Sequence, residues 1–494
     1  MATWQPTPGD IVRALREQNP WHRTGTVPDT LAPSTERPLV AGITAALTRS
    51  DLRRFQVILG PRRVGKTTVM YQAARHLLSA GVAASRVWWL RLDHPLFLDL
   101  ELGFLVKTVM ETARDDLSLD DPLYLFLDEL VYARNWDRWL KTFFDEQWPV
   151  RIVGSSSAVA ALRRQHPETG VGRWDERYLT PYLLTEYLGL VGKPTDLGSV
   201  ASLSEALEAA VRPGLEYQVL AEARKELLFT GGFPELLVRF KQTDIDSERL
   251  VESQRVLRAD AVERAIYKDI PPSFGVDNPL QVERLLYVAA GQAAQLFSAK
   301  NVSQQLGITE PTVEKYVGYL ERSFVLFTLN NFSGGEVARQ RRGRRLYFYD
   351  GAIRNAALER GLAPMSDPVE MGLLYENMAA AHLYCLSMLT SGRCYHWRDG
   401  TDEVDLIYDE PEDPHAFEVA SSPGHSRSGL IKFVQRYPRY RGRAWLVAVD
   451  APFLRAADSA EGIGQLSLDQ FLVACGAAFH TRLLISLGAQ GPSR

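Results

Sequence analysis

The chain has 494 residues, 46% of them hydrophobic and 23% charged. That is enough for about three domains at ordinary globular composition, which excludes a mostly disordered or fibrous chain. Fifty-six basic against 60 acidic residues give a net charge of −4, so no overall cationic field draws the chain to nucleic acid or membrane, and such binding needs a local patch. Only 10 of those basic residues are lysines. Cys385, Cys394 and Cys475 make neither a disulfide framework nor a zinc pattern, and a reduced, cytoplasmic setting is expected. The N-terminal stretch has no apolar signal core, and no run of about 18 apolar residues occurs, so no membrane span is expected.

In chain order, residues 8–18 predict a short helix ended by Asn19-Pro20, and 22–38 an extended lead-in. The pattern then becomes α/β. Apolar strand runs at 55–59, 86–92, 123–127 and 150–154 alternate with helical spacing at 66–80, 103–117 and 136–147. Such alternation predicts a parallel sheet with helices on both faces. From 200 to 270 the spacing is helical, broken by GGFP (231–234) and followed by Pro271-Pro272. Short helices follow over 279–322, with strand-like runs at 323–330 and 345–349. A helix at 370–390 and strands near 394–398, 403–408, 416–420 and 444–449 predict a second α/β unit. The divisions drawn are 1–54, 55–195, 196–275, 276–340 and 341–494.

Residues 60–67 read Gly60-Pro61-Arg62-Arg63-Val64-Gly65-Lys66-Thr67, followed by Thr68, between a predicted strand and a predicted helix. This is the full G-x-x-x-x-G-K-[ST] pattern in its proper context. The glycines let backbone N–H groups turn toward phosphate oxygens, and the helix directs its positive end at the anion. Lys66 is the candidate for the β- and γ-phosphates, and Thr67 for Mg²⁺. Where lysine is scarce, a lysine at the one required position is less readily accidental.

The run LYLFLDEL (123–130) ends in Asp128 and Glu129. At the carboxyl end of a parallel strand, Asp128 is expected to support Mg²⁺ and Glu129 to polarise the attacking water. The next strand ends in Ser155-Ser156-Ser157, with Ser155 or Ser156 the candidate sensor of the γ-phosphate. Arg163, Arg164, Arg173 and Arg177 are candidate arginine fingers in the same or a neighbouring subunit, and Arg173 is the choice among them.

These motifs, with Asn19-Pro20-Trp21, LDHP (92–95), Gly172-Arg173, LTPYLLTEYL (179–188), GGFPE (231–235), KDI (268–270), the 298–330 block, LYFYDGAIRNA (346–356), YEN (375–377), EVDLI (403–407) and FEV (417–419), resemble a large family of prokaryotic AAA-type P-loop ATPases. Members pair that domain with a C-terminal domain of unknown function that looks like a degenerate restriction-endonuclease fold. The resemblance implies a P-loop NTPase sheet, then a helical and winged-helix segment, then a restriction-endonuclease-like α/β domain. It also implies ATP rather than GTP, since no base-specific motif is readable. From the PD-(D/E)XK arrangement it implies Glu376, Asp405 and Glu418 as metal-holding acids. Ala420 stands where the lysine is expected, and after Lys315 only Lys432 remains as a substitute. A fold retained without cleavage, its acids pairing with nearby arginines, is the expected state.

Residues 298–322 have helix-turn-helix spacing around Gly307, with Val302, Leu306, Ile308, Val313, Val317 and Leu320 as its small core. The exposed start of the second helix would carry Thr309, Glu310, Thr312, Glu314 and Lys315, two acids against one base, which suits packing better than DNA. The strongest basic cluster is Arg339, Arg341, Arg342, Arg344 and Arg345, either a solvated loop or a nucleic-acid contact. The expected activity is ATP hydrolysis with Mg²⁺, coupled to motion of the later domains. A nucleotide-switched DNA- or RNA-binding module and a nucleotide-gated protein scaffold are the alternatives. A finger acting in trans would need an oligomer.

Overall fold

A computed structural model describes residues 6–49, 53–98, 100–113, 122–157, 172–195, 197–211, 216–240, 247–333 and 343–487. The chain divides into two compact units. The first holds Met1–Leu179 with Asp269–Asp277 and Leu487–Ala489; the second holds Thr180–Lys268, Asn278–Ser486 and Gln490–Arg494.

In the first unit, β1 (Phe55–Leu59), β2 (Val87–Arg91), β3 (Leu123–Asp128), β4 (Val150–Ser156) and β5 (Trp174–Tyr178) form a sheet in the order β2-β3-β4-β1-β5. Every pairing is parallel. Apolar runs such as FQVIL are buried along their whole length, as a strand covered on both faces requires. Helices Lys66–Ser79, Leu102–Thr112 and Trp136–Asp145 are the crossovers. The predicted strands and helices match these spans closely; β5, whose WDERY lacks an apolar run, was not foreseen.

Strand β2 is one edge of the sheet, and Asn19-Pro20-Trp21 covers it. Asn19 uses both ends of its amide on Trp89, donating to the carbonyl at 3.0 Å and accepting from the N–H at 2.6 Å. Trp21 Nε1 donates to Val87 O at 2.8 Å. Asn19-Pro20-Trp21 therefore stands in for a sixth strand and leaves fewer edge groups unpaired.

The second unit contains an eight-stranded mixed sheet among its described residues, in the order β13-β12-β11-β10-β9-β7-β8-β6. Its strands are β6 (Leu296–Phe297), β7 (Leu326–Asn331), β8 (Arg344–Phe348), β9 (Arg393–Asp399), β10 (Asp402–Asp409), β11 (His415–Ala420), β12 (Ala444–Ala448) and β13 (Gly464–Ser467). Three helices, Pro279–Gly291, Ala299–Leu306 and Glu310–Arg322, precede the β7–β8 pair, and β6 joins β8 antiparallel. Val302, Val313, Val317 and Leu320 are fully buried there, while Leu306 and Ile308 are half-buried. The division drawn at 340 falls inside this sheet, because β7 also pairs parallel with β9.

Several motifs of this unit are structural. Asp350 caps the helix Gly351–Ala357 and accepts the Gly232 N–H at 2.6 Å. A Cβ at Gly232 would come within 2.5 Å of Tyr182 backbone atoms, so the GGFP turn admits no side chain at that position. Helix Leu468–Ser486 is long and apolar enough to cross a membrane by length and composition, contrary to expectation, but 67% of that window is buried within the protein. It also carries Asp469, ion-paired with Arg224 at 2.6 Å.

Candidate functional site

The parallel register of the first unit brings the chemistry together. β1 runs directly into the phosphate loop, and its pairing with β4 sets Ile58 beside Ser155 and Leu59 beside Ser156. On the other side of β4, Leu127 pairs with Gly154, so Asp128 emerges next to Ser155. Loop, acids and serines thus share the carboxyl end of the sheet, where α/β folds hold ligands.

The loop depends on glycine at both ends. A Cβ at Gly60 would lie 2.0 Å from Leu179 O, a backbone atom that cannot swing aside. Gly65 has φ +93°, a left-handed conformation that side-chain-bearing residues rarely adopt. Val64 is buried and anchors the loop's apolar side, whereas Pro61 is buried at its start. Arg63 is exposed, with φ +67°. Thr68 is half-buried in the first turn of the following helix.

Lys66 is buried, and its ammonium donates to Gly60 O at 2.8 Å, Pro61 O at 2.8 Å and Ser157 Oγ at 3.0 Å. All three N–H donors are therefore engaged. Burial pulls its pKa down, while Glu129, Asp269 and Asp128 oppose that shift. Thr67 donates to Asp128 Oδ2 at 3.0 Å, and Ser155 donates to Asp128 Oδ1 at 2.5 Å. Asp128 is buried, and desolvation raises its pKa against those hydrogen bonds.

Glu129 has φ +60°, an uncommon conformation for a residue with a long side chain. Its N–H donates to Ser155 Oγ at 3.0 Å, and its buried Oε2 has no hydrogen-bond partner among the described residues. Burial pushes its pKa up to about 7, with Lys66 pulling it down and Asp128 and Asp269 pushing it further up. A carboxyl group near neutrality with one free oxygen can accept a proton from water.

These residues fit a Mg·nucleotide. The loop excludes side chains where its backbone turns, the lysine's acceptors are exchangeable, and one buried acid oxygen awaits a partner. Ser155 holds Asp128 and Glu129, whereas Ser157, not Ser155 or Ser156, touches Lys66. Strand parity could have suggested this, since Ser155 and Ser157 share one side of an extended chain.

The finger expectation fares differently. Arg173 stands at the beginning of β5, and its carbonyl accepts the Phe55 N–H at the amino end of β1. A five-residue strand of roughly 15 Å separates it from the loop. Its guanidinium pairs with Asp145, through Nε at 2.8 Å and Nη2 at 3.1 Å. Within one chain Arg173 is therefore at the wrong end of the sheet. Arg177 is bound to Gln56 at 2.8 Å. Arg163 and Arg164 lie outside the described residues. The arginine that does join the site is Arg62, whose Nε donates to Asp269 Oδ2 at 2.5 Å and whose Nη2 donates to Oδ1. No sequence spacing announces a partner 207 residues away.

In the second unit, Glu376, Asp405 and Glu418 do converge, but around an arginine. Arg345 donates through Nη1 to Asp405 Oδ1 at 2.8 Å and Glu376 Oε1 at 3.2 Å, and through Nη2 to Glu403 Oε2 at 2.8 Å. Tyr347 donates to Glu376 Oε1 at 2.7 Å, and Val419 N–H to Asp405 Oδ2 at 3.0 Å. Glu418 Oε1 lies 3.3 Å from His425 Nε2, while its Oε2 has no partner among the described residues. Lys432 pairs instead with Asp402 at 2.6 Å and is exposed. No group of three or more metal-ligating side chains with metal-site geometry occurs among the described residues.

The same geometry corrects the basic cluster. Arg345 is only 5% exposed and cannot meet a phosphate backbone. Arg344 is tied to Glu314 at 2.6 Å and lies over the Phe297 ring. Arg339, Arg341 and Arg342 fall outside the described residues. Tyr347, Phe348 and Tyr349 are strand or strand-end residues buried in the unit, not a stacking surface.

Comparison with known proteins adds two family matches. Residues 52–188 match a model described as an AAA domain, and residues 221–363 match a domain of unknown function (DUF8612). Among curated proteins, the uncharacterised protein MJ1637 of Methanocaldococcus jannaschii is 26% identical over 341 residues, 68% of each chain. A second from that archaeon, MJ1544, is 22% identical over 57% of each. Solved structures with partial likeness include the Walker-type ATPase of Pyrococcus abyssi (14% identity, TM-score 0.41, 65% of this chain and 95% of that one). Another is the Aeropyrum pernix ORC1 protein in complex with DNA (15% identity, TM-score 0.34, 69% and 98%). The five-stranded parallel sheet and its glycine-bounded phosphate loop give the first unit a P-loop NTPase fold, within a stretch, 52–188, that is similar to an AAA domain.

Proposed function

We propose that the protein binds ATP with Mg²⁺ and hydrolyses it. The observation that carries this reading is the grouping of Lys66, Thr67, Asp128 and the unsatisfied Glu129 oxygen at one end of the parallel sheet. The backbone of Gly60–Thr68 would surround the phosphates, and Lys66 would exchange its carbonyl acceptors for phosphate oxygens. Thr67 and Asp128 would hold Mg²⁺, which when bound neutralises charge on the phosphates. Glu129 takes a proton from the attacking water, and Ser155 keeps Asp128 and the Glu129 backbone aligned. Glu129→Gln should retain ATP binding and lose turnover by about a hundredfold or more. Unchanged turnover would remove Glu129 from the mechanism.

The second unit is read as a winged-helix-like segment joined to a degenerate nuclease-like fold that does not cut. The Arg345 guanidinium standing among Glu376, Asp405 and Glu403 supports this, because it supplies the positive charge a metal ion would bring. Hydrolysis would drive motion of that unit. A nucleic acid would have to be engaged through Arg339, Arg341 and Arg342, because Arg344 and Arg345 are committed internally. Protein partners and oligomers remain part of the scaffold reading. An ATPase assay with and without DNA, RNA and protein fractions separates these, since stimulation identifies the partner class.

A further inference from the structure

The phosphate loop contains two cations besides Lys66 that its consensus does not require, Arg62 and the exposed Arg63. Arg62 sits between the two glycines, mostly buried, with its side chain 19% exposed. Its partner, Asp269, is almost wholly buried, with 2% of its side chain exposed. Asp269 occupies the N-cap of the short helix Ile270–Phe274 but makes no side-chain cap bond. A capping aspartate ordinarily contributes about 1 kcal/mol to its helix. Here that carboxylate is turned instead onto an arginine distant in sequence.

The manner of the pairing matters. Asp269 takes the Nε and Nη2 edge of the guanidinium in a two-bond fork. A guanidinium has five N–H donors in a fixed plane. The Nη1 donors make no hydrogen bond among the described residues, so Arg62 can stay paired and still donate to an anion. Burial works against the Arg62 charge, but Asp269, followed by Glu129 and Tyr132, outweighs it and keeps the group cationic. Glu129 is thus an electrostatic neighbour of Arg62. Negative charge on that side of the loop belongs to the acid read above as activating water, which faces the terminal phosphate in that reading.

We propose that Arg62 is a second phosphate-binding cation, directed at the terminal phosphate of a nucleoside triphosphate, and that Asp269 is the positioning residue that holds it there. The inference rests on the nucleotide reading of the loop and adds selectivity to it: Arg62 distinguishes a triphosphate from a diphosphate. A bidentate carboxylate removes the rotamer freedom of a long side chain before the ligand arrives, so less entropy is lost on binding. Asp269–Asp277 belongs to the first unit, while the chain on both sides of it belongs to the second. The residue that orients Arg62 is therefore carried on a segment continuous with the second unit.

The test uses the full chain and titrates fluorescent N-methylanthraniloyl ATP and ADP in Mg²⁺. Lys66→Ala, Arg62→Ala, Arg62→Lys, Asp269→Asn and the Arg62→Ala/Asp269→Asn double variant are compared with the parent. Arg62→Ala and Asp269→Asn should each weaken ATP roughly tenfold and ADP less than about threefold, as expected for one lost charge-assisted contact. Arg62→Lys should not restore the ratio, because an ammonium cannot keep the fork and a free donor edge together. Asp269→Asn should add nothing in the Arg62→Ala background. Equal losses for ATP and ADP, parental ATP affinity in Arg62→Ala, or a full additional loss in the double variant would each overturn the proposal. If Asp269→Asn does not fold, the ATP-to-ADP ratios of the two Arg62 variants decide alone, and an unchanged ratio overturns it. Lys66→Ala separates the two levels. If it binds ATP as the parent does, the nucleotide reading itself fails; if it loses ATP while the Arg62 variants do not, only this inference fails.

Discussion

Glu129 and Gly60 carry opposite kinds of constraint, one electrostatic and one steric. Glu129 must be ionised to accept a proton, and burial lifts its pKa to about 7. Below that pH the carboxyl is protonated and cannot act as base, so kcat/KM should rise with pH through about 7 and then level. The pH dependence of kcat/KM from about pH 6 to pH 8, which reports ionisations of the free enzyme, measures this; a flat profile would show that Glu129 does not set the rate. At Gly60 the limit is space. An added methyl meets Leu179 O at 2.0 Å, so Gly60→Ala should cost about 1–3 kcal/mol and displace the loop. Thermal unfolding together with loss of nucleotide binding reads both effects, and a parental affinity would show that the loop tolerates the shift. The loop pattern and both acids were legible because a contiguous motif states its own geometry. The role of Ser157 was half-legible, from strand parity. The Arg62–Asp269 pair was not, because attraction between distant residues leaves no local pattern.

Among the elements, the C-terminal sheet buries an arginine that the sequence had offered as part of a solvated loop or a nucleic-acid contact. β8 contributes Arg345 to the acids of β10, β11 and helix Pro368–Ser387, so a cation from the protein occupies the cluster. Arg345→Ala should leave the buried Asp405 carboxylate without its cation and destabilise the second unit by about 3–5 kcal/mol. Unfolding monitored with and without Mn²⁺ tests it; a variant as stable as the parent would mean that the acids are neutralised by protonation alone. One guanidinium faces Glu376, Asp405, Glu403 and Glu418, with His425 beside Glu418 and Tyr347 beside Glu376. Burial first, then the Asp405 charge, holds Glu376 and Glu418 well above the usual carboxylate range. Because their native pKa exceeds the unfolded value of 4.5, folding takes up protons. That stabilisation is complete below about 4.5 and is lost as pH rises through the native pKa. The unfolding midpoint should therefore fall toward alkaline pH, and Glu376→Gln should flatten the fall. An unchanged slope in that variant would assign the effect elsewhere. Element spans were read well where periodicity was clean, as at 55–59 and 8–18. β5 and β13 were missed because WDERY and GQLS owe their extended form to neighbouring strands rather than to their own apolarity.

For the molecule as a whole, the prediction concerns cleavage. Purified protein with Mg²⁺ or Mn²⁺ should not cut plasmid or single-stranded DNA, because Glu376 and Asp405 are already paired with the Arg345 guanidinium. Cutting that is lost on Asp405→Ala would overturn this. Composition and patterning by themselves determined that the chain is globular, that a parallel sheet comes first, and that a phosphate loop lies between its first strand and helix. Those features are local: propensity, alternation and a contiguous motif encode them within a few turns of chain. Only the tertiary structure decided that Arg173 stands at the far end of the sheet, that Arg62 answers to Asp269, and that Arg345 is buried among acids rather than offered to nucleic acid. Each depends on which charges meet after strands pair, and pairing is set by long-range burial of apolar faces, which one-dimensional spacing does not record.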